Sequence, residues 1–136
     1  MLKIFVDAAT KGNPGLSGAG IQLIGDHLYK QLSFPLPSMS NHEAEFAAFE
    51  LALAETIRRG YYQQSTFIFT DSQVVAEVID LDKTKNPIFF PYLQRIRPLL
   101  AQFPLIIVQW IPERDNRGAD NLARQGLQKA LRQAEG

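Results

Sequence analysis

The sequence predicts an α/β domain built on a mixed sheet of about five strands with helices packed against it, and three observations carry that expectation. Three strand-like stretches follow one another at the N-terminus. The apolar period then turns helical at Asn41. Beyond that point helical stretches alternate with two short apolar runs, STFIFT and LIIVQWI. Strands joined directly pair antiparallel, whereas strands separated by helices enter a sheet in parallel through crossovers. The expected sheet is three antiparallel strands followed by two parallel ones.

LKIFV (2–6) is β-branched and aromatic enough for a buried strand that ends on Asp7, before a Gly-Asn-Pro-Gly loop. SGAGIQLIG and HLYKQLSFPL then flank a hairpin turn at Gly25-Asp26. NHEAEFAAFELALAETIRRG repeats its apolar residues at helical spacing from Asn41 until Gly60 supplies a stop. STFIFT (65–70) is a continuous apolar run, the pattern of a strand covered on both faces. A helix starts near Ser72. A second opens at Asn86-Pro87 and reaches about Gln102, with Pro91 in its first turn and a kink at Pro98. LIIVQWI (105–111) reads as another buried strand, and the chain from about Arg117 as a last helix. With no repeat, linker or low-complexity segment, residues 1–136 suit one domain.

A hydrophobic content of 46% supports a core and excludes a disordered tail. The absence of cysteine excludes a disulfide framework, a thiol nucleophile and a cysteine-based zinc site, and suits a reducing cytoplasm. No signal segment is evident and no apolar run reaches the roughly 18 residues of a membrane span, so a cytoplasmic protein with no membrane association is expected. Fourteen basic residues balance fourteen acidic ones, so charge does not advertise a polyanionic partner. A sum conceals clusters, however: acids gathered at one site would mask Arg114, Arg117, Arg124, Lys129 and Arg132 near the C-terminus.

Four acids stand out. Asp7 and Asp71 each end a strand, and strands expected to be neighbours; beyond the carboxyl ends of strands is where open α/β sheets bind ligands. Each also has a plain structural reading, Asp7 as a turn former and Asp71 as a helix cap. Glu45 is in step with Ala48, Phe49, Ala52 and Leu53, the apolar stripe of its helix, where a carboxylate is costly unless paired or bound to a cation. Asp120 opens the last helix, and both it and Glu45 can be read as partners of a helix dipole. Taken together, four carboxylates with no cysteine or histidine among them suit a hard cation, Mg²⁺ or Mn²⁺. Two such ions can activate water and stabilise the leaving oxygen in phosphodiester cleavage.

FVDAATKGNPG, SNHEAE, FTDSQ and ADNLAR resemble, in order and spacing, the four acidic motifs of the type 1 ribonuclease H family, from residue 4 to about 130. The resemblance implies the ribonuclease H-like fold and cleavage of the RNA strand of RNA/DNA hybrids to 3′-hydroxyl and 5′-phosphate products. It implies Asp7, Glu45, Asp71 and Asp120 as ligands of two ions: Asp7 and Asp71 flank both, Glu45 completes one and positions water, and Asp120 completes the other. It further implies contacts to the hybrid from Gly12 and Asn13 in the Gly-Asn-Pro-Gly loop, from Ser40 and Asn41, and from Gln73. Good turn chemistry at Asn13 and helix capping by Ser40 or Asn41 remain open as plainer readings. No obligate protein partner is evident.

The chain departs from the family in three places. The loop WIPERDNRGAD lacks the histidine of many full-length members; Arg114 or Arg117 would supply positive charge there, while His27 and His42 read as surface residues. The stretch from Asp71 to Asp120 is too short for a basic protrusion, and its loop at Asp82, Lys83, Thr84 and Lys85 holds two lysines, which implies weak, salt-sensitive substrate binding. Ala8 and Ala9 follow Asp7 where Gly-Ser or Gly-Ala is common. The chain is thus expected to be a short-form ribonuclease H. Two alternatives stay open: a ribonuclease H-like domain that binds hybrid or structured RNA with little cleavage, and a related nuclease acting on a DNA junction.

Overall fold

In the computed structural model, which describes residues 1–136, the first strand (β1, Leu2–Thr10) lies at the centre of a five-stranded sheet. The alternation of its side chains decides what lies on each face. Leu2, Ile4 and Val6 are buried in the core, while Lys3, Phe5 and Asp7 point the other way. β2 (Gly15–Gly25) pairs with β1 antiparallel, and β3 (Leu28–Met39) with β2 antiparallel. β4 (Thr66–Thr70) joins the far side of β1 in parallel, and β5 (Ile106–Trp110) pairs parallel with β4. The order β3-β2-β1-β4-β5 is the mixed ribonuclease H-like sheet expected from the sequence.

The helices take their places through their caps and apolar faces. Ser40 caps α1 (Asn41–Arg58) by accepting the Glu43 N–H at 3.2 Å, and Ser72 caps α2 (Gln73–Leu81) by accepting the Val75 N–H at 3.1 Å. α1 buries Phe46, Phe49, Ala52 and Leu53 in a core shared with Ile21, Leu23 and Ile68, and α3 (Phe90–Leu100) adds Leu93 and Ile96. Helix α4 (Arg117–Glu135) packs over β1, β2 and β3. Its approach is very close. A Cβ on Gly18 would lie 2.0 Å from the Leu127 nitrogen, and one on Gly20 would lie 2.2 Å from the Ala119 oxygen.

Several expectations need correction. β1 does not end at Asp7 but continues to Thr10, because its pairing with β2 runs on to Thr10 opposite Ser17. The hairpin turn is Asp26-His27 rather than Gly25-Asp26, since Gly25 pairs with Leu28 and His27 takes the left-handed φ of 56°. β4 is covered on one face only. Ile68 is fully buried, but α4 stops short of β4, and Phe5, Phe67 and Phe69 shield one another by stacking at 4.7 and 6.1 Å between centroids. β5 is an edge strand rather than a buried one, with Ile107 and Trp110 each 42% exposed. α3 begins at Phe90, because Asn86 first closes a turn by accepting the N–H groups of Ile88 and Phe89.

The close contact of α4 with β2 makes a direct prediction. Gly18→Ala forces a methyl group into the α4 backbone, an overpacking cost of about 3 kcal/mol. Thermal unfolding followed by circular dichroism should show Tm falling by roughly 10 °C; an unchanged Tm would show that α4 does not sit on this strand.

Candidate active site

The site is built where two strands part. β1 and β4 run in parallel register only as far as Val6 opposite Thr70. Asp7 follows on β1 with no strand beside it on that side, and Asp71 follows on the turn into α2. Two carboxylates are thereby set side by side. Burial, and then the charge of Asp71, push the Asp7 carboxyl up to about 8; the Ala8 N–H works against the rise and Asp120 adds to it. Asp71 is raised as well, chiefly by burial, with the negative charges of Glu113 and Asp120 adding to the rise. The Asn116 amide and a hydrogen bond from Asp7 hold it down. Burial and the mutual repulsion of the two carboxyls favour a proton on the pair, although Arg114, Arg117 and Arg124 line the same cavity.

Asp7, Asp71 and Asp120 line one cavity of about 340 Å³ with no hydrophobic residue in its wall. Glu45 lines an adjoining cavity of about 590 Å³, also bordered by Asp71, Gln73 and Trp110. Asp71, Glu113 and Arg114 belong to both, so the four acids surround one continuous region. No three of them converge on a single point ready to hold an ion. Glu45 has turned toward His42, whose Nδ1 is 3.4 Å from its Oε2. Asp120 pairs with the Arg124 Nη2 at 3.1 Å. A cation would have to draw both acids from these partners. The donor set itself, carboxylate oxygens only, fits a hard divalent ion.

The other singled-out residues divide. Gln73, exposed at the start of α2, lines the larger cavity beside Glu45 and Asp71. Gly12 has the left-handed φ of 88°, and the Asn13 carboxamide accepts the Asn41 N–H at 3.0 Å, tying the Gly-Asn-Pro-Gly loop to the start of α1. The Ser40 hydroxyl is engaged as the cap of α1, as its plainer reading anticipated. Arg114 and Arg117 are exposed, both line the smaller cavity, and neither is in a salt bridge. Residues 82–89 alone join α2 to α3, with Asp82 held by Arg97 at 2.7 Å, so the basic residues of this connection are the exposed Lys83 and Lys85 and no extended basic protrusion is built there.

His42 is an exposed residue of the first turn of α1, as expected, and it stands at the mouth of the larger cavity with its ring edge-on to Phe89; sequence reasoning gave it no part in the site. It missed Trp110, whose Nε1 donates to the Asp71 carbonyl at 3.0 Å. It also missed Asn116, which donates to the Val6 carbonyl at 2.9 Å and to Asp71 Oδ2 at 3.1 Å. The available signal was an asparagine directly before a helix, which would ordinarily be taken for a cap.

The chain matches the reverse transcriptase-like family over residues 5–126. It is 46% identical to EbsB of Enterococcus faecalis, provisionally named a hydrolase, over 95% of this chain and 96% of that one. It is 31% identical to the ribonuclease H of Thiobacillus denitrificans over 96% and 95% of the two chains. The ribonuclease H1 of the halophilic archaeon Halobacterium salinarum superposes with a TM-score of 0.86 at 27% identity, covering 95% of this chain and 98% of that one.

The half-buried pair carries a pH signature. Asp7 releases its proton near 3.8 when unfolded and near 8 when folded, so between those values the folded state holds a proton that the unfolded state has lost. Its stabilising contribution is therefore complete below the lower value and is lost as pH rises through the higher one. In metal-free protein, Tm should fall from about pH 5 to about pH 9, and Asp7→Asn should flatten that slope and lie above the unsubstituted protein at the alkaline end. Equal slopes in the two proteins would contradict the pairing.

Proposed function

The chain belongs to the reverse transcriptase-like family and has the ribonuclease H-like fold, and from that premise we propose that it is a metal-dependent endonuclease hydrolysing the RNA strand of RNA/DNA hybrids to 3′-hydroxyl and 5′-phosphate products. The observation that carries this reading is the Asp7–Asp71 pair, half-buried side by side and lining, with Asp120, a cavity that has no hydrophobic residue in its wall. A surface made only to bind a polyanion gains nothing from clustered negative charge. A site for divalent cations needs it. The 31% identity to a ribonuclease H over nearly the full length of both chains supports the same substrate class.

Asp7, Asp71, Glu45 and Asp120 would hold Mg²⁺ or Mn²⁺, two ions with substrate bound, which polarise the scissile phosphate and lower the pKa of the attacking water. The chain's own groups do the rest. Glu45 orients the attacking water from the larger cavity. Gly12 lets the loop backbone approach a phosphate, and Asn13, tied to Asn41, keeps that loop against the start of α1. Ser40, Asn41 and Gln73 contact the hybrid, where RNA is told from DNA by its 2′-hydroxyls in a wide, shallow minor groove. Arg114 and Arg117, unpaired beside the acids, meet the negative charge of the backbone. In this reading residues 1–136 act as one cytoplasmic domain with no obligate protein partner.

A second reading, a domain that binds hybrid or structured RNA and cuts it poorly, is favoured by one observation: no three acids converge as they stand. An end-labelled RNA/DNA hybrid offered with Mg²⁺ and then Mn²⁺ separates the two, with RNA duplex, DNA duplex and single-stranded RNA as controls. Cutting confined to the hybrid and reduced about a thousand-fold or more by Asp71→Asn is the expected result. Binding without cutting in either metal would transfer the conclusion to the binding module. Arg114→Ala should weaken hybrid binding and lower the steepness of its salt dependence by about one unit; an unchanged slope would remove Arg114 from the substrate path.

A further inference from the structure

We propose that Asn116 is a positioning residue, a clasp that sets the Asp71 carboxylate against β1 before any ion or substrate arrives. The proposal rests on the reading of this region as a cation site and goes beyond it by assigning a role to a residue outside the four acids. Asn116 stands at the N-cap of α4, yet its side chain makes no capping bond. Both hydrogens of its amide are spent elsewhere, on the Val6 carbonyl at 2.9 Å and on Asp71 Oδ2 at 3.1 Å.

Those two partners mark the place where the sheet opens. Val6 is the last β1 residue in register with β4, Asp7 follows it, and Asp71 follows β4. One side chain from a third element therefore spans the gap between the strands that carry the two coupled acids. The same residue also begins the helix that bears Asp120, whose N–H donates to the Asn116 carbonyl at 3.0 Å. Three of the four acids are thus referred to a single position.

The alternative is a buried amide that merely ties α4 to the sheet. Two features speak against it. Asn116 is 1% exposed, and its Oδ1 is buried with no hydrogen-bond partner, an arrangement that costs stability. Leucine has similar bulk and would remove that orphaned oxygen, while giving up the donors to the Val6 carbonyl and to Asp71 Oδ2. Retaining the amide makes sense if its two donors do something leucine cannot, which is to hold Asp71 Oδ2. Groups that orient metal-ligating carboxylates behave in this way, and their loss lowers metal affinity or activity roughly 10–100-fold.

The test titrates Mn²⁺ calorimetrically into the unsubstituted protein, Asn116→Leu, Asn116→Ser and, as a control weakened in the distant core, Phe103→Leu. All are held well below their own metal-free Tm. Asn116→Leu should bind Mn²⁺ roughly 10–100-fold more weakly and lose kcat on the hybrid by a similar factor with KM within about threefold, and Asn116→Ser, which keeps one donor, should fall between. Phe103→Leu should bind as the unsubstituted protein does. Asn116 variants that bind Mn²⁺ normally, or no more weakly than Phe103→Leu, would overturn the clasp and leave the nuclease reading standing. An unsubstituted protein that neither binds Mn²⁺ nor cuts the hybrid would overturn both. Should Asn116→Leu fail to fold, Asn116→Ser alone decides in the same terms.

Discussion

The site depends on one constraint: two carboxylates are held next to each other at the point where a pair of parallel strands separates. β1 continues because β2 keeps it company as far as Thr10, whereas β4 stops at Thr70 and turns into α2. Asp7 is consequently held by rigid backbone on one side and open on the other. Without a cation the cheapest state for Asp7 and Asp71 is to share a proton, which is why burial lifts both. This is stability given up locally so that a charged site exists at all.

The rest of the molecule supports that opening from three directions. α1 brings Glu45 in from the core side, fixed at its start by the Ser40 cap and by Asn13. α4 brings Asp120 from the opposite face, and it can lie close enough only because Gly18 and Gly20 leave β2 bare beneath it. The turn after β5 brings Arg114, and the first residue of α4 brings Arg117, to the rim of the acidic cavity. The zero net charge is therefore a sum of unlike regions, a cluster of acids with arginines drawn up around it.

Much of the fold could be read in advance, because the change of apolar period at Asn41 and the alternation of runs afterwards leave few topologies. The failures share a cause. Where β1 ends depends on which neighbour it retains, and local pattern cannot distinguish β2 from β4. STFIFT looks like a strand with two covered faces, yet Phe69 and Phe67 find shelter with Phe5 and with each other rather than under a helix. The edge position of β5 is a property of the sheet and leaves no trace in LIIVQWI. At the site, the acids stood out by position and by their resemblance to a known set. Asn116 did not, since its partners are 45 and 110 residues away.

The most direct test of the central claim is the number of protons released when Mn²⁺ binds. It is measured by calorimetry at about pH 7 in two buffers of different ionisation enthalpy. If the Asp7–Asp71 pair receives the ion, the proton it shares at that pH must leave, and about one proton should be released per site filled, because metal ligands bind deprotonated. Binding with no proton release would contradict the account: the ion would then enter elsewhere, or the two carboxylates would hold no proton between them at that pH.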